Sequence, residues 1–361
     1  MRRALLSLLS VLWAAPLVSA CGSAFEPPSR IESLRVLGVQ VDPPYGKPGE
    51  SSKLEILYFD GSKRAYLPDG SPDPAHRVQV LWLAGCHNPP GDLYFRCFPV
   101  LAERFAGLGA PGSGPPPAEL LDFLGEGPRF TLKIPADIIS SKPEPLDGNI
   151  PYGLSYTFFA VCGGKLGPPN DVTKGLPIGC YDEATGAALG ADDFVFGFTP
   201  TYTYAEVTNK NPVITGMSFE KQPSMSAACK ADADCKSTER CGRVGWCIPV
   251  VPHCTTRDVA DCPTYEIKPT MAPADNVEID VVSPELDGRV PEEIIWLNYY
   301  TSDGTIVRDL ALVNDAQRGW NEKHETKWSA PNAFAGESRV WVVAHDNRGG
   351  TAWSFQDVFV E

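Results

Sequence analysis

From residue 29 onward, apolar and polar positions alternate in short runs, each closed by proline or glycine, the period-two pattern of strands half buried in a sheet. Leu34, Val36 and the run to Val41 make the first, and Pro43-Pro44 stops it. Lys53 to Gly61, Arg77 to Ala84, Arg129 to Pro135, Leu154 to Cys162 and Phe194 to Phe198 follow, with Trp82 inside the third run. Between Cys86 and Gly127 the rhythm gives way to Pro/Gly-rich sequence. This reads as an elaborated loop with two short helices, Val100 to Phe105 and Ala118 to Leu124, the second with Pro117 at its start and Gly125 at its end. The pattern predicts a β-sandwich over 29–199 and a linker over 200–211 that carries Tyr202 and Tyr204.

The pattern then recurs. Asn211 to Phe219 stands where Ile31 to Val41 stood, and Val277 to Val281 where Leu54 to Ile56 stood. Glu293 to Asn298 matches Gln79 to Ala84, Trp296 on Trp82, and Glu325 to Pro331 answers Thr131 to Pro135. Ser338 to Ala344 answers Ser155 to Val161, and both copies run on into a glycine pair, Gly163-Gly164 and Gly349-Gly350. The expected fold is all-β: two sandwiches in tandem, the second over 212–361 with a segment, 224–263, inserted between its first two strands. A tryptophan in the third strand resembles the core of immunoglobulin-like domains, which implies that Trp82 and Trp296 are packing residues. Leu54 to Phe59 and Val277 to Val282 lack cysteine, so the inter-sheet disulfide of antibody domains is missing and the resemblance is to the sandwich architecture.

Composition agrees, since 33 glycines and 35 prolines punctuate far more than a helical protein tolerates. The inserted segment holds Cys229, Cys235, Cys241, Cys247, Cys254 and Cys262 in a hydrophilic stretch too short to bury a core, so crosslinks must stand in for one. Six cysteines allow fifteen pairings. Cys229 to Cys247, with five residues between successive cysteines, is similar to the first half of dickkopf-type cysteine-rich modules. That resemblance implies Cys229 with Cys241 and Cys235 with Cys247, leaving Cys254 with Cys262. A segment so stapled would present Arg243, Trp246 and Ile248 in fixed places for recognition, or would serve to cover an exposed sheet edge. Asp232 and Asp234 read as a solvated turn, because no further ligand recurs at calcium-loop spacing.

At the start, Arg2-Arg3 and an apolar run from Ala4 precede Leu17-Val18-Ser19-Ala20-Cys21. The arrangement resembles bacterial lipoprotein signals, which implies a leader over 1–20 and a Cys21 carrying diacylglycerol and usually a third acyl chain. Residues 21–28 would be the lipidated tether, about 26 Å at full extension. Gly22, rather than Asp, implies the outer membrane and leaves the leaflet open. The stretch Ser29 to Tyr45 with Gly46-Lys47-Pro48-Gly49-Glu50 resembles the opening of envelope lipoproteins of myxobacterial type, a likeness that brings no activity with it. Ten of the eleven cysteines remain after Cys21, an even number in an exported chain, and five disulfides are expected. Cys86 with Cys97 and Cys162 with Cys180 would close short loops. Zinc is the competing use, because His87 and His253 adjoin cysteines, but C-x-x-C spacing is missing and no metal is expected.

Loss of the leader, which holds Arg2 and Arg3 and no acid, takes the formal charge from −14 to −16 and argues against nucleic acid and anionic lipid surfaces as partners. No G-x-S-x-G surrounds a serine, His324-Glu325 lacks the second histidine of a zincin, and there is no phosphate loop. His345 to Gly350 reads as the turn of the last hairpin. The expectation is a noncatalytic, lipid-anchored envelope protein for adhesion or complex assembly, without cofactor, its partners the membrane and an envelope protein. The alternatives are a glycan binder, which would use Trp320, Trp328 and Trp353, and a secreted hydrolase whose site is assembled across space.

Overall fold

The computed structural model describes residues 28–105, 118–143, 149–169, 178–223, 227–256, 261–285, 288–332 and 336–361. The leader, Cys21 and most of the tether lie outside the described residues. The described residues are all-β apart from short helical pieces, and their strands form two pairs of sheets and one separate two-stranded ribbon.

In the first half the strands are β1 (Leu34–Asp42), β2 (Tyr45–Gly46), β3 (Ser51–Asp60), β4 (Gln79–His87), β5 (Leu124–Glu126), β6 (Arg129–Lys133), β7 (Gly153–Cys162), β8 (Lys165–Gly167), β9 (Gly179–Tyr181) and β10 (Phe194–Thr203). One sheet runs β1-β3-β6, and the other runs β2-β10-β7-β4-β5. Between them lies a core of Leu34, Val41, Leu54, Ile56, Trp82, Phe130, Leu132, Phe159 and Val161. Trp82 is fully buried against Phe130 and Phe159, and its indole N–H donates to the Gly127 carbonyl at 2.8 Å, so its one polar atom is satisfied.

All ten residues of β7 are buried, because both faces of its sheet are covered. The segment after β4 folds back over the outer face. Helix α1 (Cys97–Phe105) and Leu120 lay Leu101 and Phe105 on Leu83, Leu154, Tyr156 and Phe158. The Cys86–Cys97 disulfide pins this layer to β4. The expected helix over Ala118 to Leu124 is only a single tight turn, Ala118–Leu120. From Leu124 the chain pairs with β4 as an edge strand, where Gly125 lies under the Phe130 ring, 2.4 Å from where a Cβ would stand. The last strand also outruns its expected end, continuing to Thr203 with Thr201 and Thr203 fully buried, so residues 200–203 belong to the sheet and not to the linker.

The second half contains β11 (Gly216–Phe219), β12 (Gln222–Pro223), β13 (Glu239–Cys241), β14 (Cys247–Val251), β15 (Thr264–Thr270), β16 (Ile295–Thr301), β17 (Thr305–Ile306), β18 (Leu310–Asp315), β19 (Gly319–Trp320), β20 (Thr326–Ser329), β21 (Gly336–Asp346) and β22 (Thr351–Val360). The order β11-β15-β20 answers β1-β3-β6, and β22-β21-β16 answers β10-β7-β4, which is the strand order of an immunoglobulin or fibronectin type III sandwich. Two correspondences expected from the sequence do not hold in the fold. The second strand is β15, not Val277 to Val281, whose sole ladder contact among the described residues is an isolated bridge between Ile279 and Glu292. Trp296 is not the counterpart of Trp82: Ile295, Leu297 and Tyr299 point inward, so Trp296 falls on the outer face and stacks on His345. A shift of one residue exchanges faces. The core tryptophan of this half is Trp328 on β20, fully buried, its N–H shared between the Asp303 carbonyl and Thr301 Oγ1.

The two halves pack side by side. A register shift between Val36 and Gly38 in β1 lets Leu37 join Ile31 on the outer face, where they meet Trp341 and Val343 of β21. Leu57, Phe59, Tyr300, Trp353 and Phe355, each half-buried, pack against this cluster, with the Phe59 and Trp341 ring centroids 4.6 Å apart. Backbone bonds join the halves as well, Ile31 N–H to the Thr301 carbonyl and Thr301 N–H to the Ser29 carbonyl.

Candidate interaction surface

The inserted segment is part of the second sandwich. Strand β14 adds to the free edge of β22 in parallel register, Val250 beside Phe359 and Val251 beside Val360, and Val251 enters the core. His253 N–H reaches the Glu361 carbonyl and Cys254 N–H the Pro331 carbonyl. Disulfides join Cys229 to Cys241, Cys235 to Cys247 and Cys254 to Cys262, and Cys162 to Cys180 in the first half. The sulfurs of Cys229, Cys235 and Cys247 lie within 4.8 Å of one another, yet each is already in a disulfide and offers no thiolate to a metal. Asp232 and Asp234 are engaged by backbone. Asp234 accepts from Lys230 and Ala231 N–H, which hold its carboxyl below the usual range, and Asp232 accepts from Cys241 N–H.

The three residues singled out for recognition part company here. Ile248 is fully buried, contrary to expectation, because β14 turns it beneath the hairpin against Gly242. Arg243 is fixed by its neighbour Glu337, whose carboxylate accepts its backbone N–H at 2.9 Å and pairs with its Nε at 3.3 Å. Trp246 remains 43% exposed at the end of a tight turn, Gly242 to Trp246, closed by Gly245 N–H to the Gly242 carbonyl, with Gly245 at φ +78°. Val244 beside it is 41% exposed.

A larger apolar surface, not foreseen from the pattern, lies on the first half. Leu93, Tyr94 and Phe95 are exposed; Tyr94 stacks flat on Phe198 of β10 at 4.2 Å and meets Phe95 and Phe98 edge-on. Its foundation is polar. Asp92, in the left-handed region at φ +56°, accepts from Tyr152 Oη and from Lys142 Nζ at 2.8 Å, and its carbonyl accepts from Tyr156 Oη at 2.7 Å. Burial, and then the hydrogen bond to Asp92, raise the Tyr152 phenol well above its ordinary pKa, so it stays a donor. The sequence held one signal for this site, the consecutive apolar Leu93-Tyr94-Phe95 inside a loop.

Where the halves meet, Arg348 is buried against Glu278 and Glu293, each 3.6 Å away, and donates to the Ile279 and Thr208 carbonyls. Burial, with Asp346 nearby, pushes the Glu293 carboxyl up to about 8. This network ties the segment at Thr208 to the β21–β22 turn, with Arg348 itself buried. Among histidines, His87 Nδ1 comes within 2.8 Å of Ser155 Oγ, but Ser155 is fully buried and, among the described residues, no carboxylate hydrogen bonds to His87. Such a pair has the first contact of a nucleophilic site and neither its access nor its orienting acid. Trp328 is core, Trp353 lies against the first half, and Trp320 packs against the second core, so the three do not form a solvent-facing row.

No family model matches the chain, and no curated protein matches it. Among solved structures it is similar to the fibronectin(III)-like modules of Clostridium thermocellum CbhA, at 9% identity over 90% of this chain and 94% of that one, TM-score 0.18. It is similar also to the N-terminal Ig1-2 module of the Drosophila receptor protein tyrosine phosphatase DLAR, at 7% identity over 91% and 99%, TM-score 0.20. A third is the Yersinia pseudotuberculosis adhesin InvE, at 9% identity over 91% and 60%, TM-score 0.16. The architecture rests on the chain's own strand order and cores.

Proposed function

We propose that this is a noncatalytic envelope protein, held at the outer membrane by acyl chains on Cys21, that serves adhesion or assembly through the aromatic surface of its first half. The observation that carries the reading is the Leu93-Tyr94-Phe95 surface stacked on Phe198. Apolar rings left in water on a braced scaffold are what an interface core needs, and they carry little ordering cost. The Arg348 network and the His87–Ser155 pair are committed to internal partners, which supports binding over chemistry at those two places. Cys21→Ala should abolish acylation and move the protein from the membrane to the soluble fraction, since two or three chains anchor firmly and none does not. With the anchor intact, Tyr94→Ser with Phe95→Ser should remove a discrete crosslinked complex from intact envelopes while the melting temperature holds. Recovery of the same complex from the double variant would overturn the assigned surface.

A further inference from the structure

We infer that the disulfide-stapled turn of the inserted segment is a second membrane contact, its Val244 and Trp246 seated in the lipid headgroup zone beside the acyl anchor. The inference rests on the lipid anchor at Cys21. The end of the molecule nearest the anchor is the one that holds Pro28 to Ile31. Ser29 and Ile31 are bonded to Thr301, at the end of β16, and Arg35 donates to the Pro28 carbonyl. Six residues lie between Cys21 and Pro28, a reach of about 25 Å over the seven steps, so this end of the molecule faces the bilayer. The stapled turn is at the same end. Arg243 is held by Glu337 at the start of β21, Ser302 N–H bonds the Arg339 carbonyl beside it, and the carboxyl of Asp303 feels both Arg30 and Arg243.

The chemistry of the turn fits that position. Trp246 and Val244 are exposed within three residues of a guanidinium, and the Cys229–Cys241 and Cys235–Cys247 disulfides flank the turn, so it needs no ordering on contact. An indole with one wet edge is suited to the boundary between headgroups and acyl chains, and arginine stems can lie along apolar surface with the charge in water. Although the whole chain is acidic, Arg30, Arg35 and Arg243 are interleaved at this end with Glu32, Asp60, Asp303 and Glu337, so cationic groups lie beside the turn, and a zwitterionic headgroup fits it better than an anionic one.

The test uses the full acylated protein in phosphatidylcholine vesicles with and without lipids brominated high on the acyl chain. Brominated lipid should lower tryptophan emission of the native protein, and Trp246→Phe, a conservative change at an exposed position, should abolish that loss while near-ultraviolet circular dichroism retains its tertiary signature. If mass spectrometry shows Cys21 unacylated, the anchor reading falls and this inference with it. If the protein is acylated and floats with the vesicles but quenching is the same in Trp246→Phe, the anchor stands and the second contact is refuted.

Discussion

Trp341→Ala tests whether the two halves act as one body. Trp341 is 3% exposed and sits at the centre of the cluster joining β1 and β3 to β21 and β22, its ring against Phe59. A buried tryptophan removes about 250 Å² from water, and at about 25 cal/mol/Å² that is about 6 kcal/mol. On its own sheet Trp341 is flanked by Tyr300 and Phe355, which would shelter about half of that area with the first half removed. The docking share is then about 3 kcal/mol, within the usual cost of a large aromatic truncated to alanine. Because the ring faces away from the core made by Val340 and Val342, this loss falls on the contact between halves. Calorimetry should show one cooperative transition in the native protein. In the variant it should show two, with the radius of gyration rising in X-ray scattering as the halves separate. A single transition at an unchanged temperature would refute the side-by-side packing.

The other predictions are more local. Glu293 binds its proton more tightly in the folded chain, about 8 against an unfolded value near 4.5. The native state therefore holds more protons between those values and stability declines as pH rises through that window, by on the order of 2 to 4 kcal/mol. Glu293→Gln should flatten the decline, as read from urea melts between pH 4.5 and 8; an equal slope in the variant would contradict the assignment. Ile248→Ala, at a fully buried site, should cost about 2 to 5 kcal/mol by denaturant melts, and replacement of the insert by a Gly/Ser linker should lower the melting temperature of the second half; an unchanged melt in both would show that the insert is dispensable for folding.

What could be read from the chain followed from how local the signal is. Strands that bury one face carry their own period, so β1, β3, β6 and β16 were legible, and cysteines 11 and 18 residues apart close loops that geometry permits. Trp296 misled because alignment by residue type ignores the face on which a strand presents it, and Trp328 carried the matching role on a strand that had been set against Thr131 to Pro135, which holds no tryptophan. The place of β14 was hidden for another reason. Parallel addition to a distant edge is set by partner backbone groups, and the five residues Cys247–Val251 record no partner in their own pattern. The aromatic surface went unread because its pieces, Tyr94 and Phe198, are a hundred residues apart and meet only once α1 covers the sheet.

The side-by-side packing also bears on how the proposed surface would work. In a flexible tandem, each sandwich would sample many orientations and a partner would have to order them on contact. Here Leu37, turned outward by the irregularity in β1, brings the first half onto the second, and Arg348 clamps the segment between them. The aromatic surface lies on the sheet of the first half that faces away from the second half, so it is presented at a fixed angle to the end where the chain begins. Trp341→Ala, distant from Tyr94, should therefore weaken partner binding as well as stability, and should do so through slower association while dissociation is little changed. A variant with split calorimetric transitions and native association kinetics would show that orientation is irrelevant and that the aromatic surface alone decides recognition.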